Sequence, residues 1–467
     1  MSVDTSPGAV STGKSFSWRF TAPLFLGSAL NPINSSLIAT ALIPIAAGIH
    51  VPAGQTAILV SALYVATAIA QPTAGKAAEV FGPRRVFLAG ILLVLLGGLV
   101  GGFASSLTML LISRVLIGLG TSCAYPTAML LIRRRATSAG LENPPGGVLG
   151  GLQIAGAATA SLGLPLGGVL VQLFGWRSVF FINVPVGVVA LIVTLLWIPK
   201  DDPATERRSA SAVMSALDVT GIIGFAAAMT SLLFFLSSLP NANWTFLAAT
   251  LVLWVALVLW ELRAKTPFFD VRLLASHRAL TRSYIRVAIV MLSAYLLLYG
   301  VTQWLEAVQG LSGLAAGLLL LPTTVIAAIV TIPVGRRNLI RGPLLLTAVT
   351  CMVAGIAVLF LHTGAWLVLI VVITVALGIA QGAGITSNQT AVYTEAPPEQ
   401  LGTASGLLRS FSYIGSIGSS AVIGVVFRTH VTDSGLGIIG WIMLGTAVVL
   451  LLITLLDRAL RRTATTT

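Results

Sequence analysis

The stretch Gly75-Lys76-Ala77-Ala78-Glu79-Val80-Phe81-Gly82-Pro83-Arg84-Arg85 sits between two long apolar runs and interrupts their hydrophobicity abruptly. Gly75 and Glu79, four residues apart, share one face of a helix. Gly82 supplies the backbone freedom with which the chain reverses, and Arg84 and Arg85 then fall where a carboxylate can reach them. Between two apolar spans such a segment is a loop at a membrane surface. It serves either as a charge latch or as an ordinary basic loop that fixes membrane orientation.

The composition agrees. At 467 residues, 56% hydrophobic and 9% charged, the chain is too apolar to cover a soluble surface. A crossing helix needs about 20 apolar residues, and the sequence offers about fourteen such runs. Alternating strands are absent, which excludes a barrel. The net charge of +13 comes from short basic clusters at span ends, a membrane-orientation pattern and not a nucleic-acid surface. An inside start places Arg84, Arg85, Arg133 to Arg135, Lys200, Arg207, Arg208, the 263–282 cluster, the 336–341 cluster and the basic tail in the cytoplasm. Only Arg177 and Arg428 then fall at outer ends. Cys123 and Cys351 lie within apolar runs without metal-ligand spacing and read as small core residues. The four histidines are scattered at span ends.

The expected fold class is therefore an all-α integral membrane protein. Residues 1–19 form a cytoplasmic tail, 20–198 six spans, 199–216 a cytoplasmic linker and 217–262 two further spans. Residues 263–283 form a second cytoplasmic loop, 284–456 another six spans and 457–467 a cytoplasmic tail.

Polar groups inside the spans mark candidate sites, because hydrocarbon offers them no partner. The first span carries Asn31-Pro32-Ile33-Asn34-Ser35-Ser36, in which Pro32 frees a carbonyl and breaks the helix. Asn34 is there either to line a cavity or to bond a neighbouring helix. Arg114 lies inside the fourth span, where a guanidinium costs about 2.5 to 3.5 kcal/mol unless it is paired or hydrated. It has a role in the cavity or in the coupling of transport, or it snorkels to the outer interface. Glu306, near the outer end of the ninth span after Tyr299, Gln303 and Trp304, is a gate or an interfacial hydrogen-bonding group, or else a proton carrier. Tyr64, Gln303, Asn388 and Gln389 join Asn34 as candidate substrate contacts, Asn388 and Gln389 serving either there or in helix–helix hydrogen bonds, and Arg409 is a second embedded cation that needs a partner. The fifth span runs through Gly150, Gly151, Gly156, Gly163, Pro165, Gly167 and Gly168, a density of small residues that lets helices pack close and bend.

Together these motifs resemble the major facilitator superfamily of transporters. Gly75, Glu79, Gly82, Arg84 and Arg85 are similar to its loop signature, with Glu79 where aspartate is usual and Pro83 where a basic residue is usual. Arg114 with Gly118 and Gly120 resembles its fourth-span motif, associated with proton coupling. Gly150, Gly163, Pro165, Gly167 and Gly168 resemble the exporters' antiporter motif, with Thr159 replacing one glycine and the proline one residue late. Gly175-Trp176-Arg177, Phe180, Asn183, Pro185 and Gly187 resemble the fourteen-span drug:proton antiporter branch. That branch implies a pair of inverted-repeat halves, six helices each, plus two central helices.

The resemblance implies a secondary active exporter of small amphipathic or apolar compounds, drugs or self-made metabolites, driven by proton entry through alternating access. Uptake or facilitated diffusion of a metabolite is the alternative, and a non-transporting receptor or scaffold is a further one. An enzyme is not expected, since no nucleophile, base and orienting group fall together. No cofactor is implied beyond the proton gradient, and no phosphate-binding loop is present. The expected partners are a small-molecule substrate, protons and the lipid bilayer, with no nucleic acid and a monomeric state. Arginine over lysine and abundant alanine and glycine point to a bacterial inner membrane as the location.

Overall fold

The computed structural model describes residues 16–141, 146–201, 218–238, 242–265, 267–268, 271–337, 339–364, 367–396 and 401–457. Among the described residues every regular element is a helix. Apolar runs of this length have no other solution, because hydrocarbon leaves each backbone N–H to bond within its own segment. The first long helices are α1 (Trp18–Gly48), α2 (Ile58–Phe81), α3 (Pro83–Gly102), α4 (Leu107–Ser138), α5 (Gly146–Phe174) and α6 (Ser178–Trp197). A pair follows, α7 (Val219–Ser238) and α8 (Trp244–Glu261). The remainder are α9 (Arg278–Ala307), α10 (Gly313–Arg336), α11 (Arg341–Leu359), α12 (Leu367–Glu395), α13 (Leu401–Val426) and α14 (Asp433–Leu456). Eleven of these are long and apolar enough to cross a membrane by length and composition.

Within each half successive helices run antiparallel, and the start of α10 meets the far part of α5, Leu314 against Gly168, so the junctions bearing Arg84, Arg85, Arg134, Arg282 and Arg341 all fall at one end, the basic end. At the opposite end α4, α8, α10 and α14 begin on neutral caps. Ser106, Asn243, Ser312 and Thr432 accept bonds of 3.1 to 3.3 Å from backbone amides of the first turn, satisfying donors that a helix start leaves open.

Two six-helix halves repeat one packing scheme. In the first, α1 packs on α4 and α5, α4 on α2 and α3, and α3 on α6. In the second, α9 packs on α12 and α13, α12 on α10 and α11, and α11 on α14, which is the same scheme position for position. The halves meet along two seams related in the same way, α5 against α10 and α2 against α13. The extra pair, α7 and α8, packs on itself, and α7 touches both α2 and α13, so it lies beside the second seam.

Two helices depart from α geometry close to these seams. Helix α1 carries Pro23 and Pro32 and tightens to a 3₁₀ turn over Ile38–Ala41. Helix α9 widens to a π turn over Leu296–Val301. Such interruptions re-aim backbone groups and are frequent where helices do more than pack.

Candidate functional site

Arg114 is 1% exposed in the middle of the first half. Its Nε donates to the Leu59 carbonyl at 3.1 Å and its Nη1 to the Asn34 carbonyl at 3.3 Å, while Nη2 has no partner. At the end of this α-helical stretch the Ile38 amide bonds Ser36 O and not Asn34 O, which leaves the Asn34 carbonyl open to the guanidinium. The compensation that an embedded cation demands is thus supplied by backbone dipoles, and among the described residues no carboxylate pairs with it. Arg114 does not snorkel to the interface.

The next carbonyl along α1, that of Ser35, accepts a 2.8 Å bond from the Tyr299 hydroxyl across the boundary between the halves. Tyr299 stands in the π turn of α9, and its hydroxyl is 3.2 Å from that of Tyr64 on α2. Tyr64 also packs edge-on against Tyr295 with centroids 5.1 Å apart, and it stacks on Tyr413 at 6.0 Å. Tyr295 stacks on Tyr299 at 5.5 Å. The Tyr413 hydroxyl donates to Gln71 Oε1. Four tyrosines, one from the first half and three from the second, therefore form one cluster next to the Arg114 guanidinium. Further along, Arg409 of α13 lies over the ring of Tyr125 on α4 at 4.1 Å, which gives this second embedded cation its partner.

The other expected substrate contacts are placed differently. The Asn34 side chain forms a reciprocal amide pair with Asn183 of α6, at 2.7 and 3.0 Å, so it bonds a neighbouring helix. Its neighbour Asn31 reaches Thr121 at 2.9 Å and is half-buried. Asn388 is buried and donates to the Gly384 carbonyl at 2.8 Å, whereas Gln389, one residue on, is exposed. Both lie toward the basic end of α12, away from the tyrosines. Gln303 is buried with both amide atoms unpartnered.

One turn beyond Gln303, both carboxyl oxygens of Glu306 are buried without a partner. A methyl group built on Gly313 would lie 3.2 Å from Glu306 Oε1, 3.1 Å from Thr40 Cβ and 3.4 Å from Gly168 Cα. Glu306 therefore borders the point where α1 and α5 of one half meet α10 of the other. On that seam a methyl on Gly168 would come within 2.2 Å of the Leu314 amide nitrogen, and one on Gly317 within 2.8 Å of the Leu164 carbonyl carbon. Gly163 and Gly167 face α1, where a methyl would meet Ser36 Cβ at 2.4 Å and Thr40 Oγ1 at 2.6 Å. Pro165 lies between them in α5. The surroundings of Gly150 lie outside the described residues.

At the basic end, Gly82 has φ +96°, a conformation open to glycine, and it turns α2 into α3. Gly75 only approaches Pro126, at 3.6 Å from a methyl built on it. The carboxylate that meets Arg84 and Arg85 is Asp201, just past α6. Its oxygens accept from the two backbone amides at 3.1 and 3.0 Å, capping α3 where the helix dipole favours an anion. Arg134 stands 3.9 Å away, and the Arg84 guanidinium donates to the Leu195 carbonyl at 3.0 Å. The side chain of Glu79 lies outside the described residues. In the second half Asp457, just past α14, is buried between Arg282, at 2.8 Å, and the fully buried Arg286 of α9. Neither acid is evident from a motif. The available signal is positional, since each follows the last helix of its half.

Two six-helix bundles in repeated packing, joined along seams lined by an unpaired cation and tyrosines, define a multi-pass membrane transporter. The family model for the Major Facilitator Superfamily matches residues 24–420, and the chain belongs to that family. An uncharacterized MFS-type transporter, YwoD of Bacillus subtilis (strain 168), is 30% identical over 456 residues, covering 95% of this chain and 98% of that protein. The tetracenomycin C resistance and export protein of Streptomyces glaucescens is 31% identical over 438 residues, covering 89% and 77%. Among solved structures, that of the nucleoside transporter NupG superposes with a TM-score of 0.61 at 14% identity, covering 93% of this chain and 98% of that one, a likeness of fold.

Proposed function

We propose that this protein exports small amphipathic or apolar molecules across a bacterial inner membrane in exchange for protons, the basic end facing the cytoplasm. The two halves part alternately along their seams, and the energy comes from the proton gradient with no bound cofactor. Protons, the substrate and lipid suffice as partners for a monomer. The export direction draws support from the glycine-rich α5 and from the relative named for resistance and export.

The observation that carries the coupling is Glu306. An ionised carboxylate without a partner in an apolar interior costs several kcal/mol, so the closed seam around Gly313 suits the neutral acid. Parting of the seam lets water reach the group, and there the anion is accommodated. Closure at this end is in that way tied to carrying a proton. Arg114 contributes as a fixed positive charge whose compensation rests on carbonyls of α1 and α2, so movement of either helix alters its environment.

Glu306→Gln keeps the shape and removes the titration. In proteoliposomes it is expected to retain substrate exchange and to lose accumulation driven by an imposed pH gradient. A glutamine variant that responds to the gradient like the parent would rule Glu306 out as the coupling group. Inside-out vesicles give the direction: proton-loaded uptake of substrate into them supports export.

A further inference from the structure

We propose that the tyrosine-lined seam selects planar aromatic molecules bearing an anionic oxygen edge, a carboxylate or phenolate, over aromatic cations of the same size. This rests on the seam being the substrate path of the exporter proposed above. Three features converge on it. The Nη2 of Arg114, on a guanidinium 1% exposed, has an N–H pair with no acceptor, and a buried donor of that kind favours a ligand oxygen that can take it. The two carbonyls that anchor this corner, Asn34 O and Ser35 O, are consecutive, so the guanidinium and the Tyr299 hydroxyl address one small volume. The rings of Tyr64, Tyr295, Tyr299 and Tyr413 pack on one another, edge-on or stacked. When the halves part, those faces become free to sandwich a planar ring.

A cage of tyrosines can also hold a cation over its rings, and the charges decide against that here. Two cations already face this boundary, Arg114 and Arg409, and Arg409 occupies the face of Tyr125. Among the described residues no carboxylate bonds Arg114 or any of the four tyrosines. The four described aspartates are engaged elsewhere: Asp201 caps α3, Asp218 holds Trp260 at 2.8 Å, Asp433 holds Trp304 at 2.7 Å, and Asp457 pairs with Arg282 and Arg286. Glu306 borders the other seam. Among the described residues an incoming aromatic cation would meet like charge and no free carboxylate at the tyrosines, whereas an anion completes the hydrogen bond that Arg114 Nη2 leaves open.

The test is equilibrium binding to the purified full-length protein in detergent, by isothermal titration, with three bicyclic probes: 2-naphthoate, neutral 2-naphthol and N-methylquinolinium. The expected order is naphthoate tightest, naphthol next and quinolinium weakest, with about tenfold or more between the anion and the cation, as one charge-assisted bond supplies. Arg114→Gln is expected to erase the advantage of naphthoate over naphthol, and Arg114→Lys to restore part of it. Quinolinium binding as tightly as naphthoate, or no binding of any probe, overturns the proposal, and so does an unchanged naphthoate-to-naphthol ratio in Arg114→Gln. The ranking of the three probes by the parent protein needs no variant, so poor folding of Arg114→Gln leaves the test intact. No gradient is present in this measurement. Its failure is therefore distinct from failure of proton-driven export, which the Glu306→Gln vesicles report.

Discussion

The two seams that join the halves occupy equivalent places in the repeat, yet they are built from opposite materials. Where α5 meets α10 the contact is backbone on backbone, with Gly168 against Leu314 and Gly317 against Leu164, and no room for a methyl group. Where α2 meets α13 the contact is made by hydroxyls, an amide and rings: Ser61 with Ser420, Tyr64 with Tyr413, and Gln71 with Tyr413. Along its glycines this seam has dispersion contacts to gain, and the unpartnered buried group it borders at Gly313 is the Glu306 carboxyl, so it closes fully or opens, with little stable in between. A polar seam can trade each internal bond for one to water or to a ligand at small net cost. The difference assigns the α5–α10 seam to hinging and sealing and the α2–α13 seam to contact with what passes.

The sharpest way to break this division is Gly168→Ala. Its new methyl would come within 2.2 Å of the Leu314 nitrogen and 2.4 Å of its Cα, and backbone atoms cannot rotate aside as a side chain would. Overpacking of this kind typically costs about 1 to 3 kcal/mol, here spent on holding α10 away from α5. Proton-driven transport by the variant is expected to fall by tenfold or more, roughly the factor that 1.4 kcal/mol provides, with substrate affinity in detergent close to the parent's. Normal turnover in proteoliposomes would show that the glycine seam does not need to close.

A change on the polar seam should have the reverse signature. Tyr413→Phe keeps the ring against Tyr64 and removes the hydroxyl that donates to Gln71. The loss is expected to be about 1 kcal/mol, a typical net hydrogen bond, and to show as altered substrate affinity while turnover at saturation changes less. Titration calorimetry and saturating vesicle assays measure the two separately. If affinity holds while turnover collapses, as for Gly168→Ala, the two seams do the same work.

Much of this architecture is legible in the chain. The span ends follow from runs of apolar residues, and the glycines at 163, 167 and 168 announce a helix that others approach closely. The need of Arg114 for compensation is equally plain from its place inside a span. What supplies it is not, because a backbone carbonyl left open where the α-helix ends at Ile38 carries no side-chain signature. The tyrosine cluster draws on α2, α9 and α13, hundreds of residues apart, and forms only when the halves dock. Arg84 and Arg85 receive Asp201 from beyond α6, since an anion capping α3 from outside satisfies two amides at once. Asn34 shows the limit most directly. Its position in a broken helix is readable, but its amide turns toward Asn183, a choice between neighbours that sequence spacing leaves open.

The smallest expected effect, and the finest test of the contrast, is Ser61→Ala. The Ser61 hydroxyl bonds that of Ser420 across the polar seam, and both serines are buried. Removing one partner from a buried pair can strand the other, at about 1 to 3 kcal/mol. That penalty is avoided here, because the Ser420 hydroxyl also reaches the Ile417 carbonyl of its own helix at 3.0 Å. The methyl of alanine replaces a hydroxymethyl in a tight place, so only a small void is left. The net loss should therefore be about 0.5 kcal/mol, at the low end for a hydrogen bond, and thermal unfolding in detergent should barely move. Transport should survive, since this seam opens and closes by exchanging such bonds. Gly168→Ala exchanges one hydrogen atom for a methyl, a change of similar size, and is expected to lower it by tenfold or more. If Ser61→Ala proves as damaging as Gly168→Ala, the α2–α13 seam is as unforgiving of small changes as the glycine seam, and the assignment of substrate contact to one and sealing to the other is wrong.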